Sequence, residues 1–199
     1  MRTVSMVLVA VLAAATPAVA QQQQRQPQAQ QQAPRTPQQI AAQVEQLFQQ
    51  LGDAPDPNQA ARIEASLVRA MAQSGSPTAD LLLQRATEAL NKGDQEGALN
   101  TLNSLVKLAP NFAEAWNRRA TLYYLMGNLD ASLADCQQVL TIEPRHFGAL
   151  VGMGQIYVIL NRRDDAKRAL QRALAAHPHL AGAKALLEAV DKMDGGREL

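Results

Sequence analysis

The stretch AEAWNRRATLYYLMGNLDASLADCQQVLTIEPRH, Ala113 to His146, carries a proline near its end and repeats in pattern on both sides of itself. Pro110, Pro144 and Pro178 are evenly spaced, and many other positions keep the same interval. Leu82, Trp116 and Leu150 share one column; Ala86, Ala120 and Gly154 share another; Ala89, Tyr123 and Tyr157 a third. Gly93, Gly127 and Asn161 follow, then Ala98, Ser132 and Ala166, then Leu102, Cys136 and Leu170. Self-similarity at one fixed interval is the signature of a stacked repeat.

Each column has a physical reading. Ala86, Ala120 and Gly154 in the first half of a unit oppose Ala98, Ser132 and Ala166 in the second, and small residues on both sides let two antiparallel helices come close. Gly93, Gly127 and Asn161 fall where the first helix must stop, because Gly and Asn tolerate the left-handed backbone that ends helices. Each proline follows the second helix and prevents it from continuing. Leu82, Trp116, Leu150, Tyr123 and Tyr157 supply the bulk between helices. One unit is therefore a helix, a tight turn and a second helix, and it needs neighbours to bury its remaining apolar face.

Composition points the same way. Of 199 residues, 47% are hydrophobic and only 4% aromatic, with Ala and Leu dominating, which favours helices over strands. With 19 Lys and Arg against 18 Asp and Glu, the chain has no cationic excess to displace counterions along phosphates, so no nucleic-acid partner is expected. A single cysteine, Cys136, excludes an internal disulfide and a Cys-based zinc site; it occupies a packing column and is expected to be a small buried hydrophobe.

The columns over 79–180, divided as 79–112, 113–146 and 147–180, resemble three tetratricopeptide repeats. The family pattern W-x2-L-G-x2-Y…A-x3-F…P is similar to Trp116-x2-Arg119-Ala120-x2-Tyr123…Ser132-x3-Cys136…Pro144. Arg85 and Arg119 depart from it, standing where the family places Leu, and Cys136 replaces a large aromatic. A buried guanidinium needs a carboxylate, and Asp135 is the expected partner of Arg119. The stretches Ala113–Ala120 and Glu143–Leu150 also resemble secreted repeat proteins of alphaproteobacteria, which implies a Gram-negative periplasm.

The flanks complete an all-α solenoid of nine expected helices. Residues 1–20 hold Arg2, an apolar run from Val4 to Ala15, a Thr16-Pro17 break and Ala18-Val19-Ala20, which reads as a signal peptide cleaved after Ala20. The run is short for a bilayer, so no stable membrane insertion is expected after cleavage. Residues 21–36 are a Gln-rich stretch that cannot bury enough surface to order itself, and read as a disordered linker. A capping box at Thr36-Pro37-Gln38-Gln39 opens a helical hairpin over 37–75, a degenerate repeat or cap. Residues 181–199 read as a capping helix and tail.

The resemblance implies a concave groove lined by the first helices of successive repeats. The lining set is Gln84 and Thr87 from the first repeat, Asn117, Arg118, Thr121 and Tyr124 from the second, and Val151, Gln155 and Val158 from the third, with Asp80, Leu83, Asn91, Glu114, Gly152 and Ile159 beside them. Such a surface suits a peptide or helical segment of a protein partner. A family variant clamps the C-terminal carboxylate of cytosolic chaperones with Lys, Arg and Asn, but the corresponding places here hold Leu83, Thr87, Arg118, Gly148 and Gly152. The groove could alternatively be occupied by a flank of the same chain, or could hold a small-ligand or enzymatic site around Glu114, Arg118 and Tyr124.

No paired catalytic groups, phosphate loop or metal constellation accompany the repeats, so the expected function is non-enzymatic: a periplasmic interaction scaffold, with envelope assembly as a context, no cofactor, no metal and no catalytic residue. His146, His177 and His179 read as loop side chains. Arg162, Arg163, Lys167, Arg168 and Arg172 form the one local cationic cluster, with residues 164, 168 and 172 on one helical face for surface pairing. The oligomeric state is open.

Overall fold

The computed structural model describes residues 35–195; the expected signal peptide, the linker as far as residue 34 and residues 196–199 lie outside the described residues. Among the described residues are nine helices and no strand. In order these are α1 Pro37–Gly52, α2 Pro57–Met71, α3 Pro77–Asn91, α4 Gln95–Leu108, α5 Ala113–Leu125, α6 Leu129–Ile142, α7 Phe147–Ile159, α8 Arg163–Ala176 and α9 Ala181–Gly195. The helices from α3 onward stack as antiparallel pairs, α3 with α4, α5 with α6 and α7 with α8, while α9 packs on α8 and α7.

The helix ends follow from local chemistry. Thr36 and Gln39 form the full capping box: Gln39 N–H donates to the Thr36 hydroxyl at 3.3 Å and Thr36 N–H to Gln39 Oε1 at 2.9 Å. Asp56, Ser76, Asp94 and Asn128 cap α2, α3, α4 and α6 with side-chain oxygens. Three first helices stop at a left-handed residue in the repeat register: Gly93 (φ 77°), Gly127 (φ 76°) and Asn161 (φ 55°).

The small-residue columns set the closeness of each pair. Ala86, Ala98, Ala120, Ser132 and Ala166 are all buried, and the Ser132 hydroxyl donates to the Ala120 carbonyl at 2.7 Å, tying α6 to α5. At Gly154 the approach is tightest, because a Cβ there would lie 2.9 Å from Leu170 Cγ, a fully buried side chain.

Arg119 occupies its apolar column by forming a bidentate pair with Asp135, at 2.7 Å (Nε to Oδ2) and 2.8 Å (Nη2 to Oδ1). Its Nη1 donates to Asn103 on α4 at 2.9 Å, and its guanidinium lies over the Trp116 and Tyr123 rings. The Asp135 hydrogen bond raises the Arg119 pKa further, burial opposing it. Arg85 differs from the expectation: it is exposed. The register explains this, since Thr101 stands one repeat before Asp135 and offers no carboxylate.

The hairpin α1–α2 lies along the side of the solenoid. Its helix α1 packs on α8, and Phe48, Leu51, Ala60 and Leu67 share one apolar core with Leu150, Ala173, Ala183 and Val190. The loops that follow the second helices supply the polar ties. Arg145 bonds Glu45 at 2.8 Å and covers the Phe48 ring, His177 Nε2 lies 3.1 Å from Glu64, and His179 Nε2 lies 2.9 Å from the Ala54 carbonyl. His146 and His177 are thus buried contributors to packing, a departure from the expectation of plain loop side chains.

Two stability measurements follow. Replacing Asp135 by Ala strands the Arg119 charge and should lower the unfolding free energy by about 2–4 kcal/mol in chemical denaturation, with Arg119→Met restoring part of that loss. Gly154→Val overpacks against Leu170 and should cost about 1–3 kcal/mol, whereas Gly152→Ala, whose Cβ meets Cys136 Sγ at an ordinary 3.8 Å, should leave stability equal or higher.

Candidate functional site

Between α5 and α7 lies a cavity of about 290 Å³. Asn117, Thr121 and Tyr124 of α5 form one wall; Gly148, Val151, Gly152 and Gln155 of α7 form the other. Cys136, Phe147, Ile156 and Leu180 close the floor. None of these side chains carries a formal charge at neutral pH. Cys136 is almost fully buried, and burial together with Asp135 pushes its thiol up to about 12, so it lines the cavity as an apolar group.

The cavity exists because α7 lacks side chains where it faces α5. Glycine in a helix interior costs roughly 0.5–1 kcal/mol relative to alanine, yet α7 carries Gly152 in its interior, one turn after Gly148 of its first turn, on the wall of the hollow. Tight packing does not require Gly152, since an added Cβ would make only ordinary contact with Cys136. What its absence leaves is space.

Of the lining residues expected from the sequence, Asn117, Thr121, Tyr124, Val151 and Gln155 meet in this cavity. Gln84, Thr87, Arg118 and Val158 lie outside it. Gln84 donates to Glu88 at 2.8 Å, the Thr87 hydroxyl donates to the Leu83 carbonyl at 2.9 Å, and Val158 packs on the apolar core. Leu83 is buried, and Asp80 accepts from the Ser74 backbone at 2.7 Å and the Ser74 hydroxyl at 2.6 Å. The floor residues Phe147, Cys136 and Leu180 are absent from the expected lining; the paired helical glycines are the available signal.

Glu114 is turned inward beneath the groove. Arg118 Nε approaches its Oε1 at 2.6 Å, Asn117 donates to Oε2 at 3.0 Å, and His146 Nε2 lies 3.4 Å from the same oxygen. His146 Nδ1 meanwhile accepts from Ala149 N–H at 3.2 Å and caps α7. Burial opposes ionisation of Glu114 most strongly, but His146, Arg118 and Asn117 together overcome it and hold the carboxyl below its usual range. The acid considered for an enzymatic site is thus an internal tie between the second and third repeats, with both oxygens occupied.

A second hollow, about 510 Å³, separates the N-terminal hairpin from the inter-repeat loops. Ile40, Val44 and Met71 face Phe112, Ala113 and Ile142 across it. Among the described residues no group of three His, Cys, Asp or Glu is placed to hold a metal, and no helix is long and apolar enough to cross a membrane.

The Glu114 arrangement gives a pH-dependent stability of definite sign. Its pKa is lower folded than unfolded, so the carboxylate contributes its full stabilisation above the ordinary carboxylate range and loses it as pH falls through the folded value. Acid titration of Tm for the native chain and for Glu114→Gln should give curves that are apart near neutrality and converge in acid.

The pattern of the tetratricopeptide repeat matches residues 113–146 and again 147–179. A TPR repeat-containing protein of Rhizobium etli is 41% identical over 135 residues, covering 68% of this chain and 66% of the relative. Among solved structures, the Sgt2 TPR domain from Aspergillus fumigatus superposes with a TM-score of 0.58 at 18% identity, over 62% of this chain and 83% of that one. The first TPR domain of Spaghetti (RPAP3), bound to an HSP90 peptide, gives 0.57 at 17% identity, over 59% and 93%. At such identities these structures speak for the fold alone. The helix pair α3–α4 precedes the matched residues but keeps the same columns and turn, and from fold, register and relatives together the chain belongs to the tetratricopeptide-repeat family.

Proposed function

We propose that this chain is an exported, non-enzymatic scaffold that binds an extended or helical segment of a protein partner in the groove between α5 and α7. The observation that carries the reading is the uncharged cavity walled by Gly148 and Gly152. It accepts a bulky apolar side chain, while Asn117, Thr121 and Gln155 on its rim offer amide and hydroxyl groups to a passing backbone. The TPR domain of Spaghetti, which is bound to the HSP90 peptide SRMEEVD, supports the mode.

The lining here has no cation for a terminal carboxylate. The partner segment is therefore internal or has an apolar anchor. Cleavage after Ala20 and a periplasmic location, with a role in envelope assembly, fit the N-terminal sequence.

Photo-crosslinkers placed at Asn117 and Gln155 in cells test the binding mode. A defined partner should be captured, and Gly152→Leu, which fills the cavity, should reduce capture at least roughly tenfold with an unchanged Tm. Undiminished capture by Gly152→Leu, or crosslinks confined to the chain's own N-terminal residues, would overturn it. N-terminal sequencing of the fractionated protein checks export: the expected mature start is Gln21, and a cytosolic chain that keeps Met1 would contradict it.

A further inference from the structure

The two edges of the solenoid are treated differently. The edge made by the inter-repeat loops is covered by α1 and α2, as described above. The opposite edge, made by the tight turns within each repeat, carries large apolar side chains in the open. Leu125 and Met126 end α5 and are 62% and 47% exposed; Ile159 and Leu160, at the same register positions one repeat on, end α7 and are 55% and 40% exposed. Met193, one register interval beyond Ile159, extends the row onto α9 at 47% exposure, held there by Arg163 Nη1, which donates to its carbonyl at 2.7 Å.

Because α5, α7 and α9 pack side by side, these register positions form one continuous ridge. Its apolar surface is on the order of 500 Å², at the upper end of what a monomer leaves uncovered.

Charge along the same edge changes sign. The turns of the first two repeats hold Asp94, Glu96 and Asp130 against Lys92, and the turn of the third holds Arg162, Arg163, Lys167 and Arg168 against Asp164 and Asp165. Within the cationic end, Arg162 and Arg168 share the single carboxylate of Asp165, in place of the pairing among residues 164, 168 and 172 that helical spacing suggests. An apolar row with an acidic end and a basic end is complementary to itself when turned around. Two ridges related by a two-fold axis place Leu125 and Met126 of one copy against Ile159 and Leu160 of the other, and Asp130 near the second copy's Arg162.

We infer that the turn edge of the second and third repeats is a homodimer interface, isologous and antiparallel, formed by Leu125, Met126, Ile159 and Leu160 with Asp130 and Arg162 at its rim. The four apolar residues of two copies supply on the order of 750 Å² of surface, and the rim on both sides of the two-fold carries the total past the roughly 1,000 Å² that a specific protein interface must clear. None of these four residues lines the cavity between α5 and α7, so dimerisation leaves two grooves available at once and raises avidity for a partner with repeated segments.

Sedimentation equilibrium of the full chain, from low micromolar to several hundred micromolar, tests this. The expected result is a reversible monomer–dimer transition whose dissociation constant rises roughly tenfold or more in Leu125→Glu/Ile159→Glu, with unchanged helicity by circular dichroism. Asp130→Arg and Arg162→Glu should each weaken the dimer, and the two together should restore it, because the exchanged charges still face each other across the two-fold. A monomer throughout the range, a dimer indifferent to the Leu125/Ile159 change, or a monomer whose ridge instead binds anionic phosphatidylglycerol vesicles would overturn the proposal.

Discussion

The two helices of a repeat can come together here only where no side chain larger than serine stands between them. Ala86 faces Ala98, Ala120 faces Ser132 and Gly154 faces Ala166, and every other spacing in the solenoid follows from that contact. A close pair requires a short turn, and the short turn requires a left-handed residue, supplied by Gly93, Gly127 and Asn161. Beside these small residues the column of Leu102, Cys136 and Leu170 is buried, with Leu170 packed against Gly154 of its own pair. Where the hydroxyl of Ser132 enters this crowded column it bonds the Ala120 carbonyl, so its own donor is met.

These features are legible in the sequence because each is local and recurs. A position in one repeat sees the same neighbours as its counterpart in the next, so the columns carry their own explanation. Arg119 is readable for the same reason, since its partner Asp135 lies on the paired helix. The placement of the N-terminal hairpin is not legible, because its ties join residues 100, 113 and 125 apart and occur once each. His177 illustrates the difference. Its sequence neighbours mark a loop, but its ring is buried, edge-on to Phe147 at 5.4 Å and bonded to Glu64 on α2.

The groove is half legible, and again the reason is physical. Helical periodicity decides which positions face inward, and so brings Asn117, Thr121, Tyr124, Val151 and Gln155 together. It does not decide where space remains, because a cavity is made by what is absent. Gly148 and Gly152 create the hollow, and the residues beneath them come from α6, from the start of α7 and from the loop before α9. Charge misleads in the same way: Glu114 and Arg118 look available for a ligand in the sequence, but Arg118 lies against the Glu114 carboxylate, and Glu114 reaches His146 at the cap of α7.

The location of the cavity also fits the distribution of the core. Residues of the second and third repeats share one apolar cluster with the hairpin and α9, whereas the first repeat builds a smaller cluster around Leu83, Leu102 and Phe112 with Ala115 and Leu122 of α5, and Trp116 touches both. The walls of the cavity are therefore held on three sides: by α8 and α9 behind, by the Glu114–His146 tie below, and by the hairpin through Arg145 and His177. A groove buttressed in this way need not be ordered by its ligand, and that lowers the cost of binding. The first repeat has the same helices and turn but lacks the hairpin's apolar face and an Asp135 equivalent. On its groove side the exposed Gln84 donates to Glu88 and Leu83 is buried. One repeat architecture thus yields a hollow segment, tied to the hairpin, beside a segment that packs in a smaller core. The difference rests on glycine at 148 and 152, aspartate at 135, and the histidines of the loops.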